Sequence, residues 1–117
     1  MKNKKNNSGL YGEKVPDGWG YGAMSNIIRE ITAGVSVNGE EREMKSDEYG
    51  VLKVSAVSYG FFDQKEYKVI NKNEVSRAKV NPEIGSIIMS RANTPELVGA
   101  NVLITQTFSK LFLSDKL

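Results

Sequence analysis

A chain of 117 residues holds one domain at most, with just enough length for a real hydrophobic core. It contains no cysteine and no histidine. That excludes disulfides, thiolate chemistry, Ser-His and Cys-His nucleophiles and His-based zinc sites, leaving carboxylates, lysines and tyrosines for any catalysis. The 39% hydrophobic and 26% charged content is that of an ordinary soluble chain. A net charge of +2 and an isoelectric point near 8.8 are compatible with a nucleic-acid partner without demanding one. No apolar run is long enough to span a bilayer or to act as a signal peptide, and the absence of cysteine fits a cytoplasmic location.

In chain order, residues 1–14 read as a polar, basic leader with little to bury, disordered in isolation. Its lysines offer either non-specific phosphate attraction or simple solubility. The folded part is expected over 15–117. Pro16-Asp17-Gly18-Trp19 is a turn feeding the single tryptophan, which is expected to anchor against the core. Over 23–33, Met24, Ile27, Ile28 and Ile31 recur at i, i+3, i+4 and i+7, predicting a helix with one apolar stripe and Gly34 as its C-cap. Asn38-Gly39 then opens a polar, mixed-charge stretch over 38–49, read as a solvated loop.

The run 51–58 alternates, with Leu52, Val54 and Ala56 on one face and Lys53 and Ser55 on the other, predicting a strand. A further strand is expected over 66–70. There Lys65, Tyr67 and Lys68 form a basic–aromatic cluster suited to phosphate contact and base stacking. The alternative reading of that cluster is an exposed sheet edge guarded by lysines. A polar connection over 71–81, with one helical turn around 76–79, leads through Asn81-Pro82 and Gly85 to a short buried strand at 87–89. That strand delivers Arg91, Asn93 and Thr94 to one exposed loop closed by Gly99. Guanidinium, amide and hydroxyl are common readers of bases and phosphates, although a plain solvated connection uses the same residues. A last strand is expected over 102–108, followed by the apolar Leu111, Phe112 and Leu113.

The segment Ser90-Arg91-Ala92-Asn93-Thr94-Pro95-Glu96-Leu97-Val98-Gly99 resembles the signature of target-recognition domains in type I restriction–modification specificity subunits. Pro16-Asp17-Gly18-Trp19, Gly34-Val35-Ser36-Val37, Gly50-Val51-Leu52-Lys53-Val54-Ser55-Ala56-Val57, Tyr59-Gly60-Phe61-Phe62 and Asn81-Pro82-Glu83-Ile84-Gly85 resemble further segments of that family, in order. Ser86 departs from the aspartate common at its position. The resemblance covers residues 15–117 and implies an α+β fold, with an N-terminal helix on a curved, mostly antiparallel sheet. It implies sequence-specific recognition of double-stranded DNA by a non-catalytic subunit that directs methylation and cleavage by partner methyltransferase and restriction/translocase subunits. S-adenosylmethionine, ATP and Mg would belong to those partners, with no cofactor or metal in this chain. The family's domain continues into more sheet and a long helix, and no sustained heptad pattern occurs here. The chain is therefore expected to be the N-terminal part of one recognition domain.

The candidate DNA-binding residues are Arg91, Asn93, Thr94, Lys53, Lys65, Tyr67 and Lys68. Alternatively, Arg91 and Asn93 brace the loop and the readers lie within 38–49. Two rival functions are a protein-interaction module working through an open sheet edge, or an inactive truncated fragment. A remote third is a metal-dependent nuclease, since Pro16-Asp17 with Glu66-Tyr67-Lys68 formally matches the PD…(D/E)xK pattern.

Overall fold

The computed structural model describes residues 15–117; the expected leader, 1–14, lies outside the described residues. Two compact units divide the chain, Met1–Ile31 and Thr32–Leu117.

In the first unit the expected helix does not form. Trp19 N–H closes a turn onto the Pro16 carbonyl at 3.0 Å, and the helical piece among this unit's described residues is a single 3-10 turn, Met24–Asn26. The apolar stripe is exposed instead, to 87% at Ile31. The physical reason is length and composition. A helix of this size is marginal unless an apolar face is buried, and three isoleucines and a threonine lose rotamer freedom in a helix. The Asn26 side chain also accepts the Ala23 N–H at 2.9 Å, favouring the local turn. Trp19 is likewise 69% exposed rather than an anchor in the core.

The second unit is built from very short strands: β1 (Gly39–Glu40), β2 (Gly50–Leu52), β3 (Tyr67–Ile70), β4 (Ile87–Met89), β5 (Asn101–Leu103) and β6 (Leu111–Phe112). Four make a sheet in the order β1-β3-β2-β6, antiparallel except for the β2–β6 pair, and β4 and β5 form an antiparallel pair of their own. Registers are Gly39↔Ile70, Gly50↔Val69 and Ile88↔Val102. β3 therefore lies inside the sheet between β1 and β2, so it is not the lysine-guarded edge. No α-helix occurs among the described residues, and the unit is a mostly antiparallel β domain with 3-10 turns rather than α+β.

Several boundaries shift. The strand expected over 51–58 ends at Leu52, and Val54–Ala56 coils into a 3-10 turn. Ser58 Oγ donates to the Val54 carbonyl at 2.7 Å and Ser55 Oγ to Glu66 Oε1 at 2.6 Å, so the serines stabilise the coil. The core is nevertheless served, since Leu52, Ala56 and Val57 are all buried. The strand expected over 102–108 stops at Leu103, although Ile104 remains buried. The helical turn of 71–81 starts earlier than expected, as a 3-10 segment Lys72–Arg77. At 87–89 the strand forms, but only Ile88 is buried; Ile87 is 66% exposed. Asn38-Gly39 opens an edge strand rather than a turn, with Asn71 N–H bonded to the Asn38 carbonyl.

One core joins both sheets: Leu52, Ala56, Val57, Ile88, Val102, Ile104, Leu111, Leu113 and Leu117. Gly34 is no helix cap. A Cβ there would collide with the backbone carbonyl oxygens of Leu113 and Ser114, so glycine permits a close approach of two chain segments. Truncating Leu52, 1% exposed at the centre of this core, is expected to cost about 2–5 kcal/mol. Urea unfolding of Leu52→Ala checks this, and a loss below the lower bound would mean that the cavity collapses.

Candidate functional site

The connection between β4 and β5, residues 90–100, is the loop that carries Arg91, Asn93 and Thr94. Backbone bonds close its neck, from Ser90 N–H to the Ala100 carbonyl and from Gly99 N–H to the Ser90 carbonyl, both 2.9 Å. Buried Ser90 adds an Oγ donation to the Leu97 carbonyl at 3.1 Å. The Thr94 carbonyl accepts from Leu97 and Val98 N–H, winding the far end into one turn. Gly99 then leaves at φ +90°, a conformation that L side chains rarely adopt.

Within this loop the three candidates differ. Asn93 is a brace: its Nδ2 donates to Ser58 Oγ at 3.1 Å and its Oδ1 accepts the Thr94 N–H at 2.8 Å. Arg91 is held by its backbone, N–H to the Lys116 carbonyl at 2.8 Å, while its exposed guanidinium makes no hydrogen bond or ion pair among the described residues. Thr94 is exposed, with its hydroxyl similarly unused.

On the main sheet the candidates separate again. Lys53 Nζ lies 2.8 Å from Glu41 Oε1 and 3.7 Å from Glu66 Oε1. The Glu41 bond raises the lysine's pKa and lowers that of Glu41, so this cation already has carboxylate partners. Tyr67 packs its ring against the core and accepts the Met44 N–H on its hydroxyl at 2.8 Å, a structural placement rather than a free stacking platform. Exposed Lys65 and half-buried Lys68 have ammonium groups with no hydrogen bond or ion pair among the described residues. The structure thus places Tyr67 and Lys68 on β3, Lys53 just past the end of the neighbouring β2, and Arg91, Asn93 and Thr94 on the β4–β5 hairpin. The Asn93–Ser58 bond ties that hairpin to the turn that follows β2.

The 38–49 stretch is more ordered than a solvated loop. Arg42 grips Glu48 with both terminal guanidinium nitrogens, Nη1 and Nη2, at 2.7 and 2.6 Å. That fork, followed by the Lys45 backbone N–H at 2.8 Å, pulls the Glu48 carboxyl down to about 2. Glu74 receives the Asn38 backbone and side-chain N–H groups, the side-chain bond being the larger cause of its lowered pKa. Lys110 Nζ donates to the Ser46 carbonyl and sits 5.5 Å from the Tyr49 ring centroid. The nuclease pattern gains no such assembly. Glu66 is engaged by Ser55 and Lys53, and no group of three or more metal-capable side chains gathers among the described residues.

A cleft of about 580 Å³ opens beside β5, lined among others by Phe61, Gln64, Asn101, Thr105, Gln106 and Phe108. A second, of about 420 Å³, shares Gln64 and Phe108 with it and includes Lys65 and Lys110. Sequence reasoning missed these glutamines, because exposed amides in turns carry no periodicity or spacing. The Arg42–Glu48 clamp also went unseen, since its partners lie in a run of mixed charge that offers several pairings.

Together these features define a small, mostly antiparallel β domain that presents a braced polar hairpin loop and an adjoining amide-lined cleft. The chain is similar to the type I restriction enzyme EcoEI specificity subunit of Escherichia coli, 31% identical over 105 residues. That similarity covers 89% of this chain and 18% of the subunit, so the chain spans under a fifth of its relative's length. No family model matches the chain, and no solved structure matches it.

Two outcomes follow from the loop geometry. A carboxylate whose pKa falls on folding stabilises the fold fully above its unfolded value, here the ordinary 4.5 of glutamate, and that stability is lost as pH falls toward the folded value of about 2. Thermal melts are therefore expected to show a Glu48 contribution that holds above pH 5 and fades below pH 4.5. Arg42→Gln should flatten that acid limb, and an unchanged limb would show that the clamp contributes nothing. Asn93→Ala should cost about 0.5–1.5 kcal/mol in urea unfolding if the amide braces the hairpin; no loss would return Asn93 to the candidate readers.

Proposed function

We propose that this chain is part of a target-recognition domain of a type I restriction–modification specificity subunit, and that it recognises double-stranded DNA. The observation that carries this reading is the 31% identity extending over 89% of the chain. The exposed, unpaired guanidinium of Arg91 on a braced hairpin supports it. Within this reading the chain breaks no bonds. Methylation and cleavage belong to methyltransferase and restriction/translocase subunits, which also hold S-adenosylmethionine, ATP and Mg, in the cytoplasm. Arg91, Lys65 and Lys68 position the duplex through phosphates, and Thr94 lies beside the backbone they grip. Lys53, Tyr67 and Asn93 act as supports, because their polar groups are already partnered.

A second reading rests on a separate observation. Ile87, Met89 and Leu103 are exposed on the two-stranded β4–β5 sheet, with Ile87 and Leu103 directly paired across it. An apolar face of this kind suits protein contact, and no helix of the described residues is long and apolar enough to cross a membrane.

Titration of the chain with duplex DNA at two salt concentrations tests the first reading. Affinity is expected to fall steeply with salt, and Arg91→Ala and Lys65→Ala are each expected to weaken binding across all sequences. Each should also reduce the salt slope by about one. Duplex affinity that is absent at both salt concentrations would favour the protein-contact reading.

A further inference from the structure

The cleft beside β5 differs in chemistry from the Arg91 loop. Its floor includes buried Val102 and the tilted Phe62–Phe108 pair, with ring centroids 5.2 Å apart. Its rim carries Gln64, Thr105 and Gln106, all exposed, with side chains that make no hydrogen bond among the described residues. Asn101 uses Nδ2 on the Gly99 carbonyl at 3.1 Å, leaving its Oδ1 as an acceptor. Phe61, 59% exposed, stands at the same cleft. The walls are fixed by their backbones: Asp63 N–H bonds the Ala56 carbonyl and Phe108 N–H the Pro82 carbonyl, both at 2.9 Å. No charged side chain lines this cleft, whereas the adjoining one includes Lys65 and Lys110 and no carboxylate.

A neutral rim of unpaired amides complements a partner that presents donors and acceptors side by side, not a bare ion. Lys65 in the neighbouring cleft, exposed and uncommitted, complements negative charge at short range. Nucleic acid offers that combination, with base edges flanked by phosphates. A carboxamide matches adenine in particular, since it can accept from N6 and donate to N7 at once, and an apolar side chain suits the methyl of the paired thymine. We infer that Gln64 and Gln106 read adenine edges in the major groove of double-stranded DNA, with Phe61 against thymine methyl groups and Lys65 on the adjoining phosphate. This inference rests on the DNA-recognition reading and adds to it a specificity site separate from the Arg91 loop.

Selection of bound duplexes from a random pool by the full chain, followed by sequencing, tests it. The wild type is expected to enrich a short motif that contains adenine. Gln64→Ala and Gln106→Ala should each flatten the preference at an adenine position, by on the order of 5- to 100-fold in relative affinity. Salt-sensitive binding to random duplex should stay unchanged in both. Gln106→Glu should move the preference at its position from adenine to cytosine, because a carboxylate accepts from the cytosine N4 amine but cannot donate to adenine N7. A merely structural role would not produce that switch. Because both glutamines are exposed and unpartnered, urea midpoints of the variants should match the wild type. The same motif in wild type and all three variants would overturn the cleft assignment and leave DNA recognition standing. A wild-type motif without adenine would do likewise. A wild-type chain that enriches no motif would overturn both.

Discussion

The second unit depends on one shared hydrophobic core, because none of its strands is self-sufficient. The longest, β3, has four residues and β1 and β6 have two each, too few for either sheet to persist alone in water. Leu52, Ile88, Val102, Ile104 and Leu111 come from both sheets and the segments beside them, and they meet in a single cluster that also takes in Leu113 and Leu117. Burying these side chains is what offsets the entropy of ordering so many turns. The close approach of Gly34 to Leu113 and Ser114 draws the start of the unit against its last residues.

Around that core, polar side chains serve mainly to hold loops in place. Arg42 clamps Glu48, Glu74 holds Asn38, Tyr67 receives Met44, and Asn93 reaches Ser58. The arrangement matters for recognition, since a loop that is already ordered loses less entropy when a partner binds. It also separates side chains committed to the fold from those free to meet a partner. Side chains committed to internal bonds cannot contact a partner without breaking them, whereas Arg91, Lys65, Gln64 and Gln106 are exposed and uncommitted.

The similarity to a specificity subunit and the exposed groups on the hairpin are separate observations, and the proposed DNA-recognition reading draws on both. The aligned identity covers 89% of the chain, and the β4–β5 hairpin presents the guanidinium of Arg91. The cleft sets neutral amides next to exposed Lys65, and under the proposed reading these would divide edge contact from phosphate contact. The exposed Ile87, Met89 and Leu103 face has a different chemistry and suits an apolar protein contact.

By itself, the sequence determined part of the core and roughly where several strands lie. Leu52, Ala56 and Ile88 lie in apolar runs and are buried, whereas the equally apolar Ile31, Ile87 and Leu103 are exposed, because hydrophobicity favours burial but the backbone decides which side chains find a surface to pack on. Strands near 67–70 and 87–89 were legible from such runs, and the polar hairpin loop followed from the breaks between them. Tertiary structure alone decided the rest. The stripe Met24, Ile27, Ile28 and Ile31 has helical spacing, yet a short helix needs a surface to bury that face, and periodicity does not supply one. Alternation from Val51 to Ser58 could not reveal the 3-10 turn, because Ser55 and Ser58 choose their partners only once Glu66 and Val54 are in place. Nor could spacing assign roles to polar residues. Asn93 became a brace and Arg91 stayed free because long-range neighbours, not local sequence, determine which hydrogen bonds a side chain completes.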